Sequence, residues 1–81
     1  MESRTEILRK RLKLVDEAIL DGQQCIDHQQ DIIASLRREG DDFEDAAELL
    51  RALEVSVTLL FRERDRIFAA LDKEMAGIEG P

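Results

Sequence analysis

Apolar side chains return along this chain at alternating steps of four and three. In the first half the positions are Leu8, Leu12, Val15, Ile19, Gly22, Ile26, Gln29, Ile33 and Leu36, with Gly22 and Gln29 the only departures from large apolar residues. In the second half Ala46, Leu50, Leu53, Val57, Leu60, Arg64, Ile67 and Leu71 repeat the spacing, with Arg64 the polar exception. An α-helix turns once every 3.6 residues, so this rhythm draws one seam down one side of each helix, as in coiled coils. No proline interrupts either run. The pattern predicts two long helices, helix 1 over about 4–39 and helix 2 over about 43–76.

The ends of both helices carry their own signals. Ser3-Arg4-Thr5-Glu6 has the S-x-x-E form of a capping box, in which the serine and the glutamate each satisfy a backbone N–H that the helix leaves without a partner. Gly40 supplies a residue that tolerates a left-handed helix end, and Asp41 and Asp42 offer a cap for helix 2, with Glu44 or Asp45 three residues later. The turn is expected at Gly40, Asp41 and Asp42. Gly77, Gly80 and Pro81 are expected to end helix 2, leaving a short tail over 77–81. A turn this short makes the helices antiparallel neighbours, giving an all-α hairpin about 50 Å long as a single unit over 1–81. Folding about Asp41 pairs Leu36 with Ala46, Ile26 with Val57, Gly22 with Leu60 and Phe61, and Leu12 with Leu71.

The apolar surface is wider than one partner helix can cover. Helix 1 adds Ala18, Cys25 and Ile32 on one flank of its seam, with Ile7 and Leu14 on the other side near its start. Helix 2 adds Ala47, Phe61, Phe68 and Met75, and Leu49 and Leu59 elsewhere. A stripe of three apolar positions per heptad belongs to a helix that faces two neighbours in a bundle. Ala18, Cys25, Ile32, Ala47, Leu49, Phe61 and Phe68 are therefore read as a self-association surface, with a two-fold dimer forming a four-helix bundle as the simplest closed solution.

Composition and charge narrow the partners. With 81 residues, three phenylalanines, no tryptophan and no tyrosine, the core must come from Leu, Ile, Val and Ala, and a chain this short buries too little apolar surface to stand comfortably alone. The net charge is −7, and residues 41–81 hold 11 acidic groups against 5 basic ones. That acidity argues against nucleic acid and against an anionic membrane surface, because phosphate binding needs free Lys and Arg. Much of the basic charge also falls beside acidic partners in the hairpin: Arg9, Lys10, Arg11 and Lys13 near Asp72 and Glu74, and Asp16, Glu17 and Asp21 near Arg62, Arg64 and Arg66. Arg37 and Arg38 likewise come beside Glu44, Asp45 and Glu48. A single cysteine cannot form an internal disulfide, and no apolar run is long enough to span a bilayer or resembles a secretory start. A cytoplasmic protein is expected.

One stretch, Asp21-Gly-Gln-Gln-Cys-Ile-Asp-His-Gln-Gln over 21–30, gathers the chain's only cysteine and only histidine with a glycine on the seam. Gly22 there implies close approach of a bulky group, with Phe61 the expected one; a local bend or simple tolerance are the alternatives. Gln29 and Arg64 are polar seam residues of the kind that set register, Arg64 reaching Asp16, Glu17 or a second chain, or alternatively a ligand. Asp21, Cys25 and His28 share a helix face and have the spacing of three zinc ligands, but structural zinc sites recruit paired Cys or His motifs and this chain has one of each. Catalysis by Cys25 would need a pocket, an oriented base and an oxyanion donor, none of which a helix interior supplies. The stretch is read as packing and register, with no metal and no cofactor.

Residues 29–67 resemble a family of short, mostly uncharacterised bacterial helical-hairpin proteins. The likeness lies in Gln29, Ile32 or Ile33, Leu36, Arg37, Gly40, Asp42, Ala46, Leu49, Leu50, Leu53, Glu54, Leu59, Arg64, Asp65 and Arg66, with Gly22 also fitting. The chain departs from it at Asp41 and Phe61, where the family often carries histidine, so no role of those histidines transfers. The resemblance implies a helical hairpin and no activity. Together these readings lead to a non-enzymatic, self-associating adaptor or assembly protein that binds another, unidentified protein. The alternative is a small accessory regulator of a signalling or transcription protein.

Overall fold

The computed structural model of the protein describes residues 2–79 and consists of two helices, α1 (Arg4–Arg38) and α2 (Glu44–Glu79), that pack along their lengths. Its Cα trace measures 66 × 21 × 14 Å, a single layer of two helices. Ser3 stands in extended backbone at the start of α1 and its Oγ accepts the Glu6 N–H at 3.2 Å, the serine half of the capping box. At the other end Gly40 has φ +74°, and its N–H reaches the Arg37 carbonyl at 3.2 Å while the Asp41 N–H reaches that of Leu36 at 2.9 Å. This pair of bonds is the Schellman arrangement, which a residue without a Cβ enters with least strain.

α2 begins at Glu44 rather than at 43. The Asp42 carboxylate accepts the Glu44 N–H at 3.0 Å, and the Phe43 carbonyl accepts the Ala47 N–H at 2.9 Å. Asp42 therefore acts one residue ahead of the helix, as an Asx turn, and Phe43 takes the boundary position. The far end also differs from the expected one: α2 continues through Gly77 to Glu79 instead of stopping at 76. A single glycine costs a helix only about 1 kcal/mol relative to alanine and is no stop by itself. The remaining expected tail residues, Gly80 and Pro81, lie outside the described residues.

Every seam position is buried or half-buried, from Leu8 to Leu36 in α1 and from Ala46 to Leu71 in α2. The buried hydrophobic cluster of Leu8, Val15, Ile19 and Ile67, flanked by Leu12, Leu60, Phe61, Ala70 and Leu71, sits in the half of the hairpin away from the turn. The cross-helix contacts run in opposite order along the two helices: Arg4 with Glu74, Asp16 with Arg64, Gly22 with Val57 and Gln29 with Ala46.

These pairs correct the expected register by about one helical turn. Gly22 meets Val57, where counting back from Asp41 had put Leu60 and Phe61. The turn explains the displacement. Asp41, Asp42 and Phe43 belong to neither helix. A residue outside a helix can advance the chain up to about 3.3 Å where a helical one advances 1.5 Å, so a link longer than the expected turn lets α2 start further back along α1.

Candidate functional site

Gly22 lies in the tightest part of the helix pair. A Cβ built on it would stand 2.6 Å from Val57 Cγ2, closer than nonbonded carbons approach. The absence of a side chain at Gly22 is therefore what lets the backbone of α1 settle against Val57, which is itself buried. Two turns on, Gln29 is buried and its Nε2 donates to the Ala46 carbonyl in the first turn of α2 at 2.9 Å. A buried amide without a partner would be costly, so this bond ties one level of α1 to one level of α2.

Arg64 is the third polar or small seam residue and works differently. Its guanidinium carbon lies 5.2 Å from the centre of the Phe61 ring and 5.7 Å from that of Phe68, and Nη1 is 3.5 Å from Asp16 Oδ1. The two rings, one and one turn to either side on α2, hold the cation by its face while Asp16 holds its end. Its Nε is buried without a hydrogen-bond partner. Of the ion pairs expected from sequence, Asp16–Arg64 forms; the basic start of α1 is instead engaged by Arg4 to Glu74 at 2.8 Å and Lys10 to Glu2. Arg37 stacks over Phe43 at 5.1 Å. That contact was not foreseen, although a phenylalanine inside a polar turn is a signal that something covers it.

The Asp16–Arg64 pair and the two phenylalanine contacts identify one flank of the hairpin. On a helix, residues three and four apart share a face, so Ala47, Phe61, Phe68 and Met75 lie on the Asp16 side of the seam. Ala18, Cys25 and Ile32 project from α1 on the other side, and Leu49 and Leu59 do so from α2. Ile7 and Leu14, expected across the seam from Ala18, share its flank instead, because residues three and four apart lie on one face. The residues read from sequence as one association surface are thus divided between two flanks. Large apolar side chains stand exposed on both, among them Leu14 at 66%, Leu59 at 55% and Phe68 at 45%. Leu20 and Val55 are exposed as well, at positions off both seams that the periodicity does not single out.

Cys25 is exposed, one turn from His28 on the same face. Among the described residues no three His, Cys, Asp or Glu side chains converge closely enough to hold a metal ion, Asp21, Cys25 and His28 included. An open hollow of about 360 Å³ beside the turn is lined by Asp42, Phe43, Glu44, Ala47 and Arg51, acidic and basic groups at a helix start with no nucleophile beside them. Among the described residues no helix is long and apolar enough to cross a membrane. No family model, curated protein or solved structure matches the chain.

Proposed function

We propose that this protein is a non-enzymatic, self-associating helical hairpin, cytoplasmic, whose antiparallel helices pair with those of a second copy in a four-helix bundle that binds another protein. One observation carries the reading: five hydrophobic residues are buried, Leu8, Val15, Ile19, Val57 and Ile67, whereas nine large ones are exposed among the described residues. A domain normally packs two layers of secondary structure around its core, and here there is one. Covering an exposed Leu or Phe completely contributes on the order of 1.5–3 kcal/mol, so the open flanks are the largest unused source of stability in the molecule. The polar groups nearest the seam support a non-catalytic role, since Gln29 and Arg64 are spent on holding α1 to α2. Two apolar flanks on opposite sides leave one for the second copy and one for a different protein.

Sedimentation equilibrium at micromolar concentration tests self-association, with about twice the 9.3 kDa chain mass expected for a two-fold dimer. A single species of chain mass removes the four-helix bundle. Capture from a native extract on the immobilised full chain tests the adaptor role, which fails if nothing is retained stoichiometrically.

A further inference from the structure

The two flanks differ in a way that selects one of them for the second copy, and the charge distribution selects its direction. On the flank of Leu14 apolar residues run the length of the hairpin: Ile7 and Leu14 stand exposed near the open end, Leu59 near the middle, and Leu49 beside half-buried Ile32 toward the turn. On the flank of Phe68 the exposed residues Phe68 and Met75 are confined to the open half. A full-length contact between two hairpins is available only on the first.

The area is sufficient. The chain exposes 6393 Å² for a mass of 9.3 kDa, whereas a compact protein of that mass exposes about 5,000 Å². The excess of about 1,400 Å² is spread over both flanks, and half of it is close to the roughly 800 Å² that each partner buries in an interface of standard size.

Charge sets the direction. Measured along the hairpin, the turn half comprises residues 21–58 and the open half the rest. The turn half holds ten acidic and three basic residues, a net of −7, while the open half holds nine of each. Hairpins laid side by side in the same direction place −7 against −7. Reversed, each acidic half lies on the neutral half of the other, where Arg11 and Lys73 stand exposed on the Leu14 flank. Like charges brought together in the wrong arrangement oppose association, and opposite ones steer it.

We infer that a second copy seats on the flank of Ile7, Leu14, Cys25, Ile32, Leu49 and Leu59, reversed end for end, so that each turn lies beside the other hairpin's open end. This inference rests on the self-association proposed above. Sedimentation equilibrium on the full chain and on Leu14→Glu, Leu59→Glu and Phe68→Glu tests the flank. All three sites are exposed, so helix content by circular dichroism should not change. Leu14→Glu and Leu59→Glu are expected to give monomers and Phe68→Glu a dimer. Retention of the dimer by Leu14→Glu or Leu59→Glu, or its loss in Phe68→Glu, overturns the choice of flank. Direction is read separately, by pulsed dipolar EPR on Arg38→Cys carrying a nitroxide in a Cys25→Ala background, a small trimming within the seat whose dimer mass is checked first by sedimentation. Loss of the dimer in that background alone counts against the seat being held by its large apolar residues. The end of α1 lies 17 residues from its midpoint, so reversed hairpins separate the two labels by about 50 Å at 1.5 Å per residue. A separation below about 30 Å overturns the reversed arrangement and leaves self-association standing, whereas a monomeric wild-type chain overturns both.

Discussion

Gly22 shows how one missing side chain positions two helices. A methyl group there collides with Val57 Cγ2 at 2.6 Å, and a valine methyl cannot swing away as the end of a long side chain can. Gly22→Leu is expected to destabilise by about 1–3 kcal/mol in urea unfolding, even though leucine is the better helix former. In a Val57→Ala background the collision disappears, so Gly22→Ala should there raise stability by up to about 1 kcal/mol, the propensity gain alone. The same sign in both backgrounds would show that close approach is not what Gly22 provides. At Arg64 the stack on Phe61 and Phe68 and the ion pair to Asp16 are separable. The pair is about half exposed, and surface pairs contribute about 0–1 kcal/mol, so Asp16→Asn should cost less than Arg64→Ala, which also removes the aliphatic and cation–π contact with both rings. Cys25 and His28 are exposed on the single hairpin, and EDTA should leave thermal stability unchanged both in the wild-type chain and in Cys25→Ala with His28→Ala, whatever small change the lost thiol makes to the contact with a second copy. Stoichiometric zinc in the purified protein would contradict that.

At the scale of the elements, stability is unevenly placed. The buried hydrophobic cluster lies in the open half, while the turn half combines half-buried seam residues such as Ile26, Ile33 and Leu53 with the Gln29–Ala46 bond, the Gly22–Val57 contact and the Gly40 turn. Gly40→Ala should cost about 1–2 kcal/mol because φ +74° brings an L-residue's Cβ against its own backbone. Gln29→Leu is a different case. Ala46 keeps its helical partner and a leucine suits the seam, so stability should change by less than about 1 kcal/mol. The distance distribution between spin labels at Asp31→Cys and Glu48→Cys, in the Cys25→Ala background, should nevertheless broaden, since among the described residues Gln29–Ala46 is the side-chain hydrogen bond that joins the helices at that level; an unchanged distribution would deny Gln29 its register role. The helices and the turn were legible in the sequence because their causes are local: the four-three spacing of Leu8 to Leu36, the Ser3 cap, the glycine at 40. Register was not, because it depends on how far Asp41, Asp42 and Phe43 advance the chain, which no periodicity within a helix records. The run of α2 through Gly77 escaped for a related reason, since a glycine stops a helix only when the backbone beyond it turns. Gly22 and Gln29 were recognisable as exceptions to the seam, yet the partner of Gly22 moved from Phe61 to Val57 with the register.

The whole molecule is a plate one helix thick, open on both flanks, with its entire net charge of −7 in the turn half. Its radius of gyration is 18.6 Å, where a compact chain of 81 residues has about 12 Å. That elongation has a consequence in solution scattering. A compact protein with the same radius of gyration would contain about 280 residues, so size alone makes the single chain look like a trimer or larger. A second hairpin laid alongside, with helix axes about 10 Å apart, adds thickness rather than length and raises the radius of gyration by less than about 1 Å. Forward scattering, which counts mass, should double on association while the radius stays near that of one chain. Two hairpins joined end to end would double the same intensity and lengthen the particle to nearly twice 66 Å. Intensity and radius together therefore separate monomer, flank-to-flank dimer and end-to-end dimer in one concentration series.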